Sequence, residues 1–273
     1  MAVIIKYPRN TKEIVDNFIQ RKDKELTSLD WAKWAGWFDT DGCISTDSTK
    51  FKRPRARLIL ADREAVELFC KTFETTLRYH ETKTTTPEPY RYHYIAKTYC
   101  GFLESNKASW FIKNIAKYMR VKKDKILKVM GYFDIEDYQL TNEEFLNYLG
   151  TVIDGDGCVM DRTKLNKKNK YTGRLKIEIS SSNINFLCSI KNEIEKHSLC
   201  KVMGPGEKQI YKTKEGDKVK YGLYFYFSIN PKFKEENDKN IEFLKVLRNY
   251  LTLSRKAKKI NDFLEKFNEV ENA

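Results

Sequence analysis

The stretch WAGWFDTDG at residues 34–42 returns, altered but legible, as LGTVIDGDG at residues 149–157, and the pair decides the fold. Counted between the second aspartates, Asp41 and Asp156, the offset is 156 − 41 = 115 residues. Each copy is a run of apolar and small residues that ends in Asp-x-Asp-Gly. A core helix with an Asp-Gly turn would explain Gly42 and Gly157, because glycine supplies the left-handed conformation that ends many helices. It does not explain why both copies keep Asp39 and Asp154, or why Ala35, Gly36 and Gly150 are small where Leu or Ile would fill a core. Small residues at that spacing let two helix backbones approach closely. Two such helices, one per half of the chain, should bring Asp41 and Asp156 together at a pseudo-twofold axis.

Working outward, the two halves repeat one order of elements. Thr27 and Ser28 offer an N-cap to the first motif helix, and Thr141 with Glu144 makes a capping box for the second. Beyond each motif the period changes to two. Arg53, Arg55 and Arg57 alternate with Ala56, Leu58 and Leu60; Arg174, Lys176 and Glu178 alternate with Leu175, Ile177 and Ile179. One apolar and one charged face mean a half-buried strand. Helices are expected at about residues 63–77 and 182–197, then strand pairs with turns at TTPEP (85–89) and KEGD (214–217). Outgoing strands read YRYHYIAK (90–97) and YGLYFYFSIN (221–230), and helical patterns close the halves at residues 100–133 and 236–268. Residues 10–26 form a polar amphipathic helix outside the repeat.

The predicted fold class is α+β: two pseudo-symmetric αββαββα repeats, each with a saddle-shaped antiparallel sheet, packed through the two motif helices. Residues 1–27 are an N-terminal helical extension, 28–133 the first repeat with connecting helices, and 134–273 the second repeat with C-terminal helices.

Fifty-one basic against 38 acidic residues give a formal charge of +13, which favours a polyanion as partner. An anionic membrane surface would want an amphipathic helix with a basic face and a Trp/Leu face. Here the basic residues fall in strands and hairpins, which points to nucleic acid and away from a membrane. No apolar run is long enough to span a bilayer, and the N-terminus has neither a secretory nor a transit layout. The expected setting is intracellular, in a bacterial, phage, archaeal or organellar compartment that holds DNA, and not secreted. The six cysteines show no CxxC or CxxH spacing, so zinc is not expected and free thiols are.

The two motifs resemble those of the LAGLIDADG homing endonucleases in their single-chain, two-motif form. The resemblance rests by letter on the motifs alone and by pattern on residues 29–250. It implies a site-specific enzyme that makes a staggered double-strand break in a long, asymmetric DNA target by metal-dependent hydrolysis, acting as a monomer. The last acidic residue of each motif, Asp41 and Asp156, would bind metal. Main-chain carbonyls of Thr40 and Gly155 would complete the shell of two or three ions, magnesium by the hardness of the ligands. Asp39 and Asp154 are assigned to structure or orientation. The family also places a basic residue near the end of the outgoing strand. Lys97 fits, and aligning Tyr94 with Phe227 sets Asn230 opposite it, a departure from the pattern.

The open sheet faces would lie in the DNA major groove, where base edges carry a distinguishable code. In the first half Lys50, Lys52, Arg53, Arg55, Arg57, Arg91 and His93 are the candidate contacts. In the second they are Lys164, Lys167, Lys168, Lys170, Arg174, Lys176, Glu178, Lys208 and Lys212, with Glu178 placed to accept from cytosine. Two other readings stand beside the nuclease: an RNA maturase that assists intron splicing, with intron RNA as partner, and a non-cleaving DNA-binding regulator. Retention of both Asp41 and Asp156 favours the nuclease.

Overall fold

The computed structural model describes residues 12–48, 50–85, 93–131, 135, 138–167, 170–213, 216–229 and 234–271. The chain forms two compact units. The first takes Met1–Trp31 and Trp37–Tyr138, the second Ala32–Gly36 and Gln139–Ala273.

The first unit runs α1 (Lys12–Glu25), α2 (Ser28–Thr40), β1 (Gly42–Thr46), β2 (Pro54–Leu60), α3 (Arg63–Thr72), β3 (Arg78–Thr85), β4 (His93–Glu104), α4 (Ser105–Ala116) and α5 (Lys123–Met130). Its antiparallel sheet has the order β1-β2-β4-β3. Ala56 and Leu58 of β2 are fully buried, as the alternation requires; α3 and α4, whose Phe69, Phe111 and Ile112 are also buried, pack on this strand. The α2 N-terminus is held by a reciprocal capping box between Thr27 and Asp30.

The second unit runs α6 (Asn142–Asp156), β5 (Gly157–Asp161), β6 (Lys164–Leu165), β7 (Tyr171–Thr172), β8 (Arg174–Ser181), α7 (Ile184–Lys196), β9 (Val202–Thr213), β10 (Gly216–Ser228), α8 (Lys234–Arg248) and α9 (Ser254–Glu271). Its sheet, β5-β8-β10-β9, repeats the order of the first, and β6 pairs with β7 as a separate hairpin. Thr141 and Glu144 form the capping box read from the sequence. Leu175, Ile177 and Ile179 of β8 are buried on the core side. Helix, strand and antiparallel-sheet content agree with the α+β reading.

The closing segments, expected to be helical over 100–133 and 236–268, begin later in the first half and break once in each. In the first, β4 continues through Cys100–Glu104, paired residue by residue with β2, before α4 begins. The helical pattern then breaks at residues 117–122, and the second closing segment breaks at 249–253. In each break, backbone N–H groups turn away from the helix ladder and toward a motif aspartate.

Among the described residues, no helix is long and apolar enough to cross a membrane.

Candidate functional site

In the first unit the end of α2 is fastened by two groups from one short segment. Asp39, buried, accepts hydrogen bonds from the backbone N–H groups of Arg120 (2.6 Å), Val121 (3.0 Å) and Lys122 (3.1 Å). The Lys122 ammonium donates to the main-chain carbonyls of Phe38 (2.6 Å), Thr40 (2.9 Å) and Gly42 (2.7 Å). All three ammonium hydrogens thus have acceptors at a helix C-terminus, where orphan carbonyls and the helix dipole both favour a cation. Asp41 is the C-cap, half-buried, with its backbone N–H on the Trp37 carbonyl at 3.0 Å.

The second unit builds the same end again. Asp154 accepts from the backbone N–H groups of Thr252 and Leu253. Lys256, 3% exposed, donates to the carbonyls of Ile153 (2.6 Å), Asp154 (2.6 Å) and Gly157 (2.7 Å). Burial pushes the Asp154 carboxyl up to about 6, against the pull of the Thr252 and Leu253 N–H groups and of Lys256 and Lys33. Asp156, the second aspartate, is exposed. The two motif aspartates therefore do different work: the first ties a loop to the helix end, and the second stands at the end itself.

Neither Gly42 nor Gly157 is left-handed, so the reason given from sequence for these glycines does not hold. They are needed for space. A Cβ on Gly157 would fall 2.4 Å from the Ile153 carbonyl oxygen, and one on Gly42 would fall 2.5 Å from Phe38 Cα. The small residues upstream do meet close neighbours within the second unit. A Cβ on Gly36 would lie 2.5 Å from the Tyr148 carbonyl oxygen, and one on Gly150 would lie 2.5 Å from that of Tyr250. Thr151 Oγ1 donates to the Lys33 carbonyl at 2.9 Å.

Lys97 is not brought to the motif. Because β4 runs on to Glu104, Lys97 sits near the strand's beginning, exposed, with its ammonium 4.0 Å from Glu81. Gly101, opposite Leu58, is the β4 residue in register with Gly42, and Lys97 lies four residues away, about 13 Å along the strand. In the second sheet the corresponding residue is Leu223, opposite Ile179 and so in register with Gly157. The alignment of Lys97 with Asn230 therefore fails, since Gly101 matches Leu223. Asn230, Arg91 and Lys168 lie outside the described residues, as do the side chains of His93 and Lys212. Thr40 reaches the helix end through its carbonyl, already bonded to Lys122, and Gly155 lies in the last turn of α6.

Lys122 and Lys256 are the site residues that the sequence reading missed. Each is one lysine in a basic run, RVKKDK or SRKAKK, and their offset, 256 − 122 = 134, differs from the motif offset of 115. The signal available was the break in helical pattern just before each.

The open face of the first sheet carries Arg55, Arg57 and Arg78 around a groove of about 630 Å³ that also meets His80, Glu81 and Glu104. Arg55 pairs with Glu104 at 2.8 Å, and Arg78 lies over the Phe102 ring at 4.2 Å. Lys50, Lys52 and Arg53 are exposed at the β1–β2 tip, with the Arg53 guanidinium over Phe51 at 5.6 Å. On the second sheet Arg174 lies over Tyr226 (4.6 Å) and Lys176 over Tyr224 (4.4 Å). Lys164, Lys167, Lys170 and Lys208 are exposed. Glu178 is not presented to a base: it is buried, and its oxygens are taken by Lys176, Lys208 and Ser180.

Among the described residues, no three His, Cys, Asp or Glu side chains gather as a metal cage. Each unit offers one hard carboxylate at its helix end.

The sequence matches no protein-family model and no curated protein. The fold does match solved structures. The meganuclease I-SmaMI, bound to uncleavable DNA, is 14% identical with a TM-score of 0.50 over 90% of this chain and 92% of its own. The LAGLIDADG meganuclease I-AabMI, bound to uncleaved DNA, is 12% identical with a TM-score of 0.50 over the same shares, 90% and 92%. The chain has the fold of the LAGLIDADG homing endonucleases, as its two motifs led one to expect.

Proposed function

We propose that this chain is a site-specific, magnesium-dependent DNA endonuclease that cuts both strands of a long, asymmetric duplex. The observation that carries the reading is the helix end built twice. An aspartate stands where a lysine ammonium is seated on three carbonyls, and each such end leads directly into the first strand of a sheet with a basic open face. The two meganucleases of like fold are held on DNA in their crystals, which supports duplex DNA as the partner.

One carboxylate per unit suits magnesium, which takes one or two protein carboxylates and leaves its remaining positions to water and to substrate phosphates. Asp41 and Asp156 would hold magnesium, each at the helix end of its own unit, and the metal when bound would activate water and neutralise charge on the phosphate. The chain's own residues do the rest. Asp39 and Asp154 fix the loop that delivers each lysine. Lys122 and Lys256 hold the backbone under each catalytic carboxylate still, and they set a fixed positive charge beside the scissile phosphate, where it favours the charge that develops there. This role, expected of Lys97, passes to Lys122. The basic faces bind the flanking duplex: phosphate contacts set register and affinity, and groove contacts set sequence. Because the two faces differ residue by residue, the target is asymmetric. One chain supplies both helix ends, so one chain suffices per duplex.

Incubation with a randomised duplex library in magnesium, followed by sequencing of the cut ends, tests the proposal. A single asymmetric consensus with a fixed stagger is expected. Intact duplexes, or ends with no common sequence, would refute it.

A further inference from the structure

Glu178 is an anomaly on its surface. On β8 the core side is filled by Leu175, Ile177 and Ile179, so Lys176, Glu178 and Ser180 stand on the open face among cations. A carboxylate there repels phosphate, and burying an ion pair adds little to folding over an apolar residue of like volume. The sheet does not require it either. Glu178 is registered with Cys158, and the residue registered with the equivalent Cys43 in the first sheet is Arg57.

The contacts show what the carboxylate does. One oxygen accepts from Lys176 Nζ at 2.7 Å; the other accepts from Ser180 Oγ at 2.9 Å and is paired with Lys208 Nζ. Lys208 also donates to Ser180 at 3.2 Å. Lys176 is further seated over the Tyr224 ring, which stacks near Tyr226 with centroids 6.3 Å apart. Two flexible ammoniums from different strands are thus fixed at one point, and the carboxylate itself is shut off, its side chain 5% exposed. Burial alone would raise the Glu178 carboxyl, but the hydrogen bonds from Lys176, Lys208 and Ser180 outweigh it and hold it at about 2. Unpositioned lysines act as point charges on phosphate. Lysines held in place can address the N7 and O6 acceptors of guanine in the major groove.

We infer that Glu178 is a positioning residue for sequence readout, holding Lys176 and Lys208 as a paired donor for guanine in one half of the DNA target. The inference rests on the duplex-DNA reading above and adds to it which residues set the preference and for which base.

Selection of bound duplexes from a randomised library, without magnesium so that none is cut, tests it on the full chain. Wild type should select guanine at one or two adjacent positions in one half-site. Glu178→Gln should lower discrimination there by ~10-fold, the size of one base contact, while the other positions keep theirs. Affinity for non-target duplex should rise, since a negative charge leaves the face. Lys208→Gln, which leaves the buried carboxylate and Lys176 in place, should weaken preference at the same position. An unchanged profile for Glu178→Gln, or a uniform loss at every position, overturns the inference while leaving DNA binding intact. Wild type that selects no sequence overturns the DNA reading and this inference with it.

Discussion

Asp39, in the last turn of α2, and Lys122, in the segment after α4, hold each other's backbone: Asp39 accepts the backbone N–H of Lys122 at 3.1 Å, and the Lys122 ammonium reaches back to the Phe38, Thr40 and Gly42 carbonyls. Asp154 and Lys256 make the corresponding grip on α6. The arrangement gives the first aspartate of each motif a structural task, distinct from the place of the second at the helix end.

It follows that the lysines at the grips matter and Lys97 does not. Lys256→Met would strip three carbonyls of a buried charged donor, at a cost of about 2–3 kcal/mol or more. Lys122→Met should slow cleavage by ~10²-fold or more, the scale of losing one preorganised charge contact. Lys97→Met, at an exposed site, should change stability by no more than about 0.5 kcal/mol and leave cleavage near wild type. Urea melts and single-turnover cleavage of the three variants check this. Strong loss of cleavage in Lys97→Met with none in Lys122→Met would reverse the assignment.

Much of this was legible in the sequence, and the gaps have physical causes. The repeat, both helix caps and the alternating strands β2 and β8 follow from local pattern and appear as read. The end of β4 was missed because CGFLE alternates weakly and its pairing with β2 is a long-range matter. The grips were missed because a lysine's partners here are carbonyls about 80–100 residues away in sequence, and no side-chain pattern encodes a carbonyl. Glu178 was read as a free acceptor because its alternation gave the face correctly but not the neighbour: Lys208 comes from β9, one strand beyond the β10 strand that pairs with β8.

Gly150→Ala should destabilise the protein. In an unencumbered helix the change would stabilise by up to about 1 kcal/mol. Here the added methyl falls 2.5 Å from the Tyr250 carbonyl oxygen and 2.9 Å from its Cβ, so the sign reverses to a loss of about 1–3 kcal/mol. A lower urea midpoint at constant slope is expected; a raised midpoint would show that the close approach is absent.

The Glu178 cluster should leave its mark on acid stability. Its carboxyl is held at about 2, below the ordinary 4.5, so it binds fewer protons when folded than when unfolded. Its contribution is present above the unfolded value and is lost as pH falls through the window down to the folded one. The stability gap between wild type and Glu178→Gln should therefore narrow between ~pH 5 and ~pH 2. A gap that stays constant or widens would mean that the carboxylate is not held by Lys176 and Lys208.

The basic faces should make DNA binding steeply salt-dependent. With about 6–10 phosphates neutralised, affinity should fall by ~10³–10⁵ between about 50 and 200 mM salt. A nearly flat dependence, measured by anisotropy on a labelled duplex, would mean that these faces do not meet the backbone.

The central claim is that each helix-end aspartate is needed for cutting and neither is needed for binding. Asp41→Asn and Asp156→Asn, assayed on a plasmid bearing the selected site in magnesium, test it most directly. Each variant should fail to linearise the plasmid while holding the site with an affinity close to wild type, because lysine and arginine contacts to phosphate dominate binding. Full linearisation by either variant would contradict the account.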